Sequence, residues 1–255
     1  MLGAFFHSII YVPIYNALAF TVAVLPTGDI GLAVIILTIA VKVVLLPLSI
    51  KAAHTQHAMK EIDPLARELK EKYKNNSEEL AKRTLALYKE KEINPFSSVF
   101  LALIQIPVII GLYFVFISEV KTFTFDPTLL YSFTLIPHAV SAQFLGFFDL
   151  TQKSIPLAVI AAITQYFQGV VAMPKPAVKK AGEARSFQDD LTQSFSLQMR
   201  FVLPVVIGFV AYAVSSAVAL YFITSALFAV MQEYISRWSI KRKVAARAAR
   251  QAASL

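Results

Sequence analysis

The chain has 255 residues, of which 57% are apolar and 16% are charged, and its mean hydropathy is +0.62. A typical soluble domain is about half apolar and about a quarter charged, so an ordinary soluble enzyme is disfavoured. The apolar residues cluster in runs of about 20, which is the length that crosses roughly 30 Å of hydrocarbon. The absence of cysteine excludes disulfides, thiolate metal sites and cysteine nucleophiles. The sequence therefore predicts an integral membrane protein.

Long apolar windows predict the membrane spans. The last window, residues 201–234, is too long for one crossing, and the small and polar residues at 212–217 favour a turn in its middle. The five predicted spans are residues 30–50, 96–118, 156–173, 201–215 and 216–236. The predicted fold is an all-α polytopic membrane protein with a five-helix core and a cytoplasmic antiparallel helical hairpin.

The placement of basic residues orients these spans. Lysine and arginine number none in 1–41, ten in 51–95, two in 119–155, five in 174–200 and six in 237–255. The positive-inside rule puts the three rich segments in the cytoplasm, the last as a basic C-terminal tail. The segment 1–29 and the loop 119–155 are then outside. Because an even number of crossings must separate two cytoplasmic segments, residues 129–148 are predicted to lie at the outer interface rather than to span.

The first apolar stretch, residues 4–25, has two interpretations. Pro13, Asn16 and several aromatic residues favour an outer interfacial helix, and the alternative is one more span. A cleaved signal peptide would need a positively charged n-region, which this stretch lacks.

The segment 51–95 reads as a pair of amphipathic helices. Apolar residues recur at spacings of three and four from Met59 to Tyr73, with charged residues between them. Asn75 and Asn76 break the first helix, and Ser77 is the predicted N-cap of the second. A solvated cap and a mobile hairpin that receives a client both fit this pattern.

Lys42 lies near the middle of the first predicted span, and Thr38 is one turn earlier on the same face. A central lysine costs roughly 2.5 to 3.5 kcal/mol on insertion scales, so it normally faces a protein interior or a water-filled cavity. The alternative is that Lys42 snorkels to the interface. We interpret it as a functional residue.

Other intramembrane polar residues are neutral, and each could serve as a hydrogen bond between helices. Together with Lys42 and Thr38 they are candidates for lining a wet groove. They are Gln105, Gln165, Gln168, Ser216, Thr224 and Gln232. The scarcity of carboxylates in the predicted spans argues against a proton relay.

We predict no catalytic residues, no metal site and no cofactor, since the pattern contains no nucleophile elbow, phosphate loop or metal-ligand spacing. The basic tail is predicted to contact anionic lipid or the phosphates of ribosomal RNA. Its candidate contact residues are Arg237, Lys241, Arg242 and Lys243.

An ordered set of sequence blocks resembles the YidC-type membrane protein insertases, in a short form without a large outer domain. The blocks are GLAVIILTIAVKVVLLPL at 31–48, LYKEKEINPF at 87–96, LIQIPVIIGLY at 103–113, FLGFFDL at 144–150, ITQYFQ at 163–168, MP at 173–174 and ALYFITSALF at 219–228. They cover nearly the whole chain, from about residue 5 to 240.

The resemblance implies a protein that receives a hydrophobic nascent segment in a polar groove and releases it sideways into the bilayer, without covalent chemistry. The implied partners are nascent membrane proteins and lipid, with the ribosome and the Sec translocon as further candidates and no DNA. A bacterial-type plasma membrane is the expected location, because the N-terminal segment lacks the Arg-rich, Ser-rich composition of an organelle transit peptide. The charge distribution predicts that the N-terminus is outside and the C-terminus inside. Gln165 matches the groove glutamine of the family. Relatives carry an arginine at the position of Lys42, and lysine retains the charge but not the planar fork.

Three other classes remain as alternatives. A membrane scaffold would depend on the hairpin and the tail alone. A solute transporter would need a pathway open alternately to both sides. An intramembrane enzyme is the weakest alternative, because no acid-base pair or nucleophile is identifiable.

Overall fold

The computed structural model describes residues 2–74, 76–91, 93–94, 103, 106–115, 124–137, 139–172 and 197–252. These residues are mostly helical, as predicted, and their only sheet is a two-stranded antiparallel hairpin. The chain divides into two compact units, Met1–Lys42 with Val108–Glu233 and Val43–Pro107 with Tyr234–Leu255.

The first unit begins with an apolar helix over Gly3–Val24. It comprises α1 (Leu2–Phe6), a π-helical turn (His7–Tyr11) and α2 (Val12–Val24). By length and composition this helix could cross a membrane, so the alternative of one more span has the length that it needs. The interfacial interpretation of segment 1–29 therefore depends on what the helix contacts.

Seven further helices lie in the described part of the chain. They are α3 (Ile30–Glu61), α4 (Asp63–Lys72), α5 (Ser77–Glu90), α6 (Ile106–Val115), α7 (Ile155–Ala172), α8 (Leu203–Val214) and α9 (Ser216–Ala252). Parts of α3, α7 and α9 are long and apolar enough to cross a membrane, over Ile30–Ala53, Ile155–Ala172 and Ser216–Ser239. Helices α6 and α8 are shorter, and a π-helical turn, Gln198–Val202, precedes α8. Much of the predicted span 96–118 and of the predicted loop 174–200 lies outside the described residues.

The connection between α6 and α7 is irregular where it is described. It contains a 3-10 turn (Pro127–Leu129) and the strands β1 (Gln143–Phe144) and β2 (Phe148–Asp149). Strand residues pair as Gln143 with Asp149 and Phe144 with Phe148. Residues 129–137 and 139–148 form no α-helix, and their placement at the outer interface stays a prediction.

The long apolar run after residue 200 is broken at Ser215. This residue is extended, with φ −169° and ψ 164°, and it separates α8 from α9. The break lies within the segment 212–217, where small and polar residues predicted a turn. Helix α9 then continues to Ala252, so the predicted basic tail is helical over 237–252, which its alanines and arginines favour.

Close approach of helices in the first unit requires glycine. A Cβ on Gly208 of α8 would lie 3.0 Å from the Cβ of Ala162 of α7. A Cβ on Gly111 of α6 would lie 2.9 Å from Cγ2 of Ile10. These contacts pair α8 with α7 and α6 with the N-terminal helix, around a core that includes Tyr15.

In the second unit the predicted amphipathic pair corresponds to α4 and α5, which contact each other. Two details differ from prediction. The periodic pattern from Met59 is divided, because α3 runs to Glu61 and α4 begins at Asp63, with Pro64 in the first turn, where its missing N–H is tolerated. The N-cap of α5 is Asn76 rather than Ser77, since the Asn76 side chain accepts the Glu79 N–H at 3.0 Å.

Candidate functional site

One end of the first unit is held together by buried polar side chains. We call it the closed end, and it comprises the first turns of α3, α7 and α9 with the described loop residues 124–137 and 139–154. Asp29, which is buried, caps α3 by accepting the N–H groups of Gly31 at 2.7 Å and Leu32 at 3.1 Å through Oδ1. Its Oδ2 accepts the N–H of Leu145 at 3.2 Å. One carboxylate thus fixes the start of α3 to the β-hairpin.

Backbone contacts reinforce this connection. The Ile30 N–H donates to the Ser141 carbonyl at 3.0 Å, and the Ser141 N–H donates to the Gly28 carbonyl at 2.9 Å. Gly28 has φ +59°, and a Cβ there would lie 2.0 Å from the carbonyl oxygen of Ala139, so only glycine fits. The loop therefore packs directly on the residues that precede α3.

The start of α9 is tied to the residues before α7. Ser216 donates its hydroxyl to the Gln152 carbonyl at 2.6 Å, and its N–H donates to the same oxygen at 3.0 Å. Because one carbonyl accepts both donors, the first turns of α7 and α9 are held at the same level.

Asn16 joins the N-terminal helix to the loop. Its Oδ1 accepts the N–H of Tyr131 at 2.7 Å and the hydroxyl of Thr134 at 2.8 Å. Its Nδ2 donates to the carbonyl of Leu129 at 2.8 Å and to that of Val12 at 2.8 Å. This side chain, only 4% exposed, thus makes four hydrogen bonds and meets the requirement that a buried amide be satisfied.

Tyr15 provides a second attachment beside Asn16. The fully buried Tyr15 accepts the Asp126 N–H at 2.5 Å through its hydroxyl oxygen, and its ring meets that of Phe125 edge to face at 5.5 Å. The carboxylate of Asp126 itself is exposed and accepts the N–H and the hydroxyl of Thr128 at 2.8 and 2.7 Å. These bonds hold the pKa of Asp126 below its usual range, so this loop carries a fixed negative charge at neutral pH.

Packing in the first unit is concentrated at the closed end. Buried residues occur in α3 up to Thr38 but not over 39–42, and in α7 up to Ala161 but not over 162–172. In α9 residues 216–222 are all buried, whereas only Ala226 and Phe228 are buried over 223–233. The helices are therefore tightly packed in their first turns and less covered beyond them. We call the less covered part of this unit the open half.

The predicted groove residues fall into two groups. Thr38 and Ser216 are buried in the closely packed parts of α3 and α9, and the Thr38 hydroxyl donates to the Val34 carbonyl at 2.6 Å. The half-buried residues of the open half are Lys42, Gln165, Gln168, Thr224 and Gln232. Gln105 lies outside the described residues.

Helix geometry determines which of these residues share a face. At about 100° per residue, Lys42 lies roughly 40° from Thr38 on α3, and Gln168 lies roughly 60° from Gln165 on α7. Ser216 and Gln232 of α9 differ by roughly 160°, so a straight helix cannot direct both toward one groove. The Thr224 hydroxyl donates to the Leu220 carbonyl of its own helix at 2.8 Å.

A small cavity of about 120 Å³ lies among α6, α8 and α9. Its walls are almost wholly apolar and include Ile109, Tyr113, Val210, Tyr221 and Phe222. It is suited to an apolar chain or ring rather than to a polar ligand.

The four predicted basic contact residues all lie on α9. Arg237 is half-buried, and the exposed Arg242 stacks over the Trp238 ring with its guanidinium carbon 4.6 Å from the ring centroid. Lys241 and Lys243 belong to the same helix. A cation stacked on tryptophan one turn away is compatible with a membrane interface, where both groups are favourable.

Sequence reasoning did not identify Tyr15, Asn16 and Asp29 as a polar network. Two signals were present, an asparagine in an apolar helix and an aspartate immediately before an apolar run, which is typical of an N-cap. Their loop partners are more than 110 residues away along the chain, so no local pattern could name them. Within the described residues, no cluster of three or more His, Asp or Glu side chains could hold a metal ion.

Comparison with known proteins supports one family. The family described as 60Kd inner membrane protein matches residues 23–243. The chain is 29% identical to the membrane protein insertase YidC of Clostridium tetani over 212 residues, which are 83% of both chains. It is 28% identical to the YidC of Clostridium perfringens over 88% of this chain and 87% of the relative, and 28% identical to that of Clostridium acetobutylicum over 85% and 76%.

The family match runs through every helix of the first unit from α3 onward. Together with the relatives it confirms the resemblance that the sequence blocks indicated. Taken with the helices that are long and apolar enough to span, they identify a membrane protein. The chain belongs to the 60Kd inner membrane protein family, whose relatives here are named YidC.

Proposed function

We propose that this protein is a membrane protein insertase, which receives hydrophobic segments of nascent membrane proteins and releases them into the bilayer. The observation that carries the proposal is the similarity to named insertases over 83 to 88% of the chain. No nucleophile, metal or covalent step is needed, because the work is the transfer of polar flanking residues across hydrocarbon.

The open half of the first unit is the proposed groove. Its half-buried polar residues lie on α3, α7 and α9. Beyond their first turns these helices have fewer buried residues. Water and polar side chains there would hydrate part of the membrane thickness and reduce the cost of moving polar flanks. A reduction of a few kcal/mol in that barrier is about a hundredfold in rate.

The proposed orientation places the closed end outside. The basic segments 51–95 and 237–255 are then cytoplasmic, as the positive-inside rule requires. The hydrogen bonds of Asp29, Asn16 and Ser216 support a seal at this end, so the groove would be open to the cytoplasm and to lipid but not to the outside.

The contacts of the N-terminal helix support its interfacial placement. Asn16 is at least roughly 12 Å from either end of Gly3–Val24, so in a spanning helix it would lie deep in hydrocarbon. Its partners at 129–134 are irregular backbone, and the adjacent Asp126 is exposed and ionised. Irregular backbone and free carboxylates are not tolerated next to lipid tails. The helix is therefore proposed to lie along the outer interface.

Lys42 is the proposed electrostatic element of the groove. It is half-buried on the open side of Thr38, where a cation would attract the acidic or polar flank of a client. Lysine supplies the charge without the fork of arginine, so the proposal requires attraction rather than bidentate recognition. The basic face of α9 is proposed to contact anionic lipid or the ribosome, and a translocon remains a candidate partner.

Photocrosslinking tests this function directly. A photoreactive amino acid at position 42 is expected to form adducts with a stalled, radiolabelled nascent membrane protein. The matched control is position 44 of the same helix, because Val44 is 76% exposed and lies roughly 160° around the helix from Lys42. An adduct at 42 that depends on the hydrophobic segment of the client, and exceeds that at 44, supports the groove.

Variants at the same position separate charge from folding. Lys42→Arg is expected to retain insertion of a reporter client, and Lys42→Leu to lose most of it at unchanged melting temperature. Equal insertion by Lys42→Leu and the wild type, with no adduct at position 42, would contradict the groove and favour the scaffold alternative.

A further inference from the structure

Two turns at the closed end carry exposed apolar side chains. We call them the loop tips. The first tip contains Phe133, Leu135 and Ile136, which are 77%, 54% and 57% exposed. The second contains Leu145 and Phe147, which are 58% and 87% exposed. Scattered exposed apolar residues are ordinary, but five of them within residues 133–147 favour a partner surface.

The composition of the loop favours lipid as that partner. Residues 129–148 contain no Lys, Arg, Asp or Glu, although the chain as a whole is 16% charged. A loop exposed to water is normally polar, so this composition does not suit contact with water. A specific protein interface normally has a polar rim that confers specificity, and this segment lacks charged residues for one. This segment lies between Asp126 and Asp149 and is rich in phenylalanine and leucine. Such a composition is suited to the boundary between headgroups and acyl chains.

The geometry of the second tip adds an independent observation. Leu145 and Gly146 have φ +53° and +76°, and the Phe147 N–H donates to the Phe144 carbonyl at 3.1 Å. A turn with positive φ at both central residues strongly prefers asparagine, aspartate or glycine at the first of them. Leucine is disfavoured there because its Cβ is crowded by the backbone. An apolar residue at this strained and exposed position indicates that its side chain contributes something outside the fold.

The attachments of this tip determine its depth. The Leu145 N–H binds Asp29, and the Phe144 ring packs over Gly31, where a Cβ would lie 2.4 Å from Cδ2. Both contacts are at the first turn of α3, where the span candidate Ile30–Ala53 begins. Phe147 is two residues farther, so its Cα is within about 8 Å of that of Leu145. The headgroup layer is roughly 5 to 8 Å thick, so the tip cannot extend far beyond it.

We propose that both loop tips insert into the outer leaflet of the bilayer and set the depth of the first unit in the membrane. The apolar side chains of the tips reach the boundary between headgroups and acyl chains, and the irregular backbone stays at the level of the headgroups. Asp29 accepts the Leu145 N–H, and Asn16 accepts the Tyr131 N–H. This inference uses the orientation proposed above but not the insertase activity, so either can fail without the other.

Tryptophan fluorescence provides the test. The chain has a single tryptophan, Trp238, so Trp238→Phe gives a background without tryptophan emission. Phe147→Trp and Phe133→Trp are introduced separately, and the full-length protein is reconstituted into phosphatidylcholine and phosphatidylglycerol vesicles with or without acyl-brominated phosphatidylcholine. Phe167→Trp on α7, a position 57% exposed within a span candidate, is the lipid control, and Lys82→Trp on the charged helix α5 is the water control.

Both tip probes are expected to show blue-shifted emission and quenching by brominated lipid within about twofold of that at position 167. Circular dichroism shows whether each variant is folded, and two tips provide two independent probes. Quenching no greater than at position 82 overturns the proposal. A blue shift without quenching also overturns it, since the tips would then be covered by a second copy of the chain rather than by lipid.

Discussion

Truncation of Asn16 tests the attachment of the N-terminal helix to the closed end. Asn16→Ala removes the partners of three loop groups, the Tyr131 N–H, the Leu129 carbonyl and the Thr134 hydroxyl. Its bond to the Val12 carbonyl is not counted, because the backbone of the helix can satisfy that oxygen.

The magnitude follows from these three groups. A buried polar group left without a partner costs about 1 to 3 kcal/mol, and the lower value applies because Tyr131 is partly exposed to water. The expected loss is therefore about 3 kcal/mol in the free energy of unfolding. For a chain of this size each kcal/mol corresponds to roughly 2 to 4 °C, so the melting temperature should fall by about 6 to 12 °C.

The assay is thermal unfolding of the purified protein in detergent, followed by circular dichroism. Ser8→Ala is the matched control, because Ser8 is exposed on the same N-terminal helix and its substitution should change stability by less than about 0.5 kcal/mol. A melting temperature for Asn16→Ala within about 2 °C of the Ser8→Ala value would refute the reasoning, since water would then replace the lost partners.

Two further predictions concern packing and topology. Gly208→Val should destabilise by about 1 to 3 kcal/mol in the same melting assay, because its Cβ would meet that of Ala162 at 3.0 Å, whereas Gly3→Ala, with nothing within 4 Å, should have no effect. The chain lacks cysteine, so Gly3→Cys and Thr27→Cys introduce single thiols. Gly3→Cys places its thiol at the start of the N-terminal helix, and Thr27→Cys places its thiol just beyond the end of this helix. An impermeant maleimide added outside intact cells should label both, and labelling of only one would make Gly3–Val24 a span.

The helical elements were largely predictable, because hydropathy and polar breaks are local properties. The α7 helix lies within one residue of the predicted third span, and the break at Ser215 lies in the predicted segment. Element ends were less predictable. The predicted N-cap of α5 was Ser77, and the observed N-cap is Asn76. Both residue types are suited to the N-cap position, so only the backbone conformation determines which of them occupies it.

The candidate site was predictable as a set of polar residues but not as an arrangement. Burial in the structure separates Thr38 and Ser216 from the half-buried Lys42, although all three are polar residues within predicted spans. Ser216 binds a carbonyl 64 residues away, and such a partner has no signature in sequence spacing.

The sequence by itself determined that this is a helical membrane protein, how its basic segments are distributed and which family it resembles, since hydropathy, charge and motif order are properties of the chain. Only the tertiary structure decided which polar side chains connect the elements at one end of the first unit and which remain half-buried. The same amide or hydroxyl can bind its own helix, a distant loop or water, and the choice depends on which groups folding brings within about 3 Å.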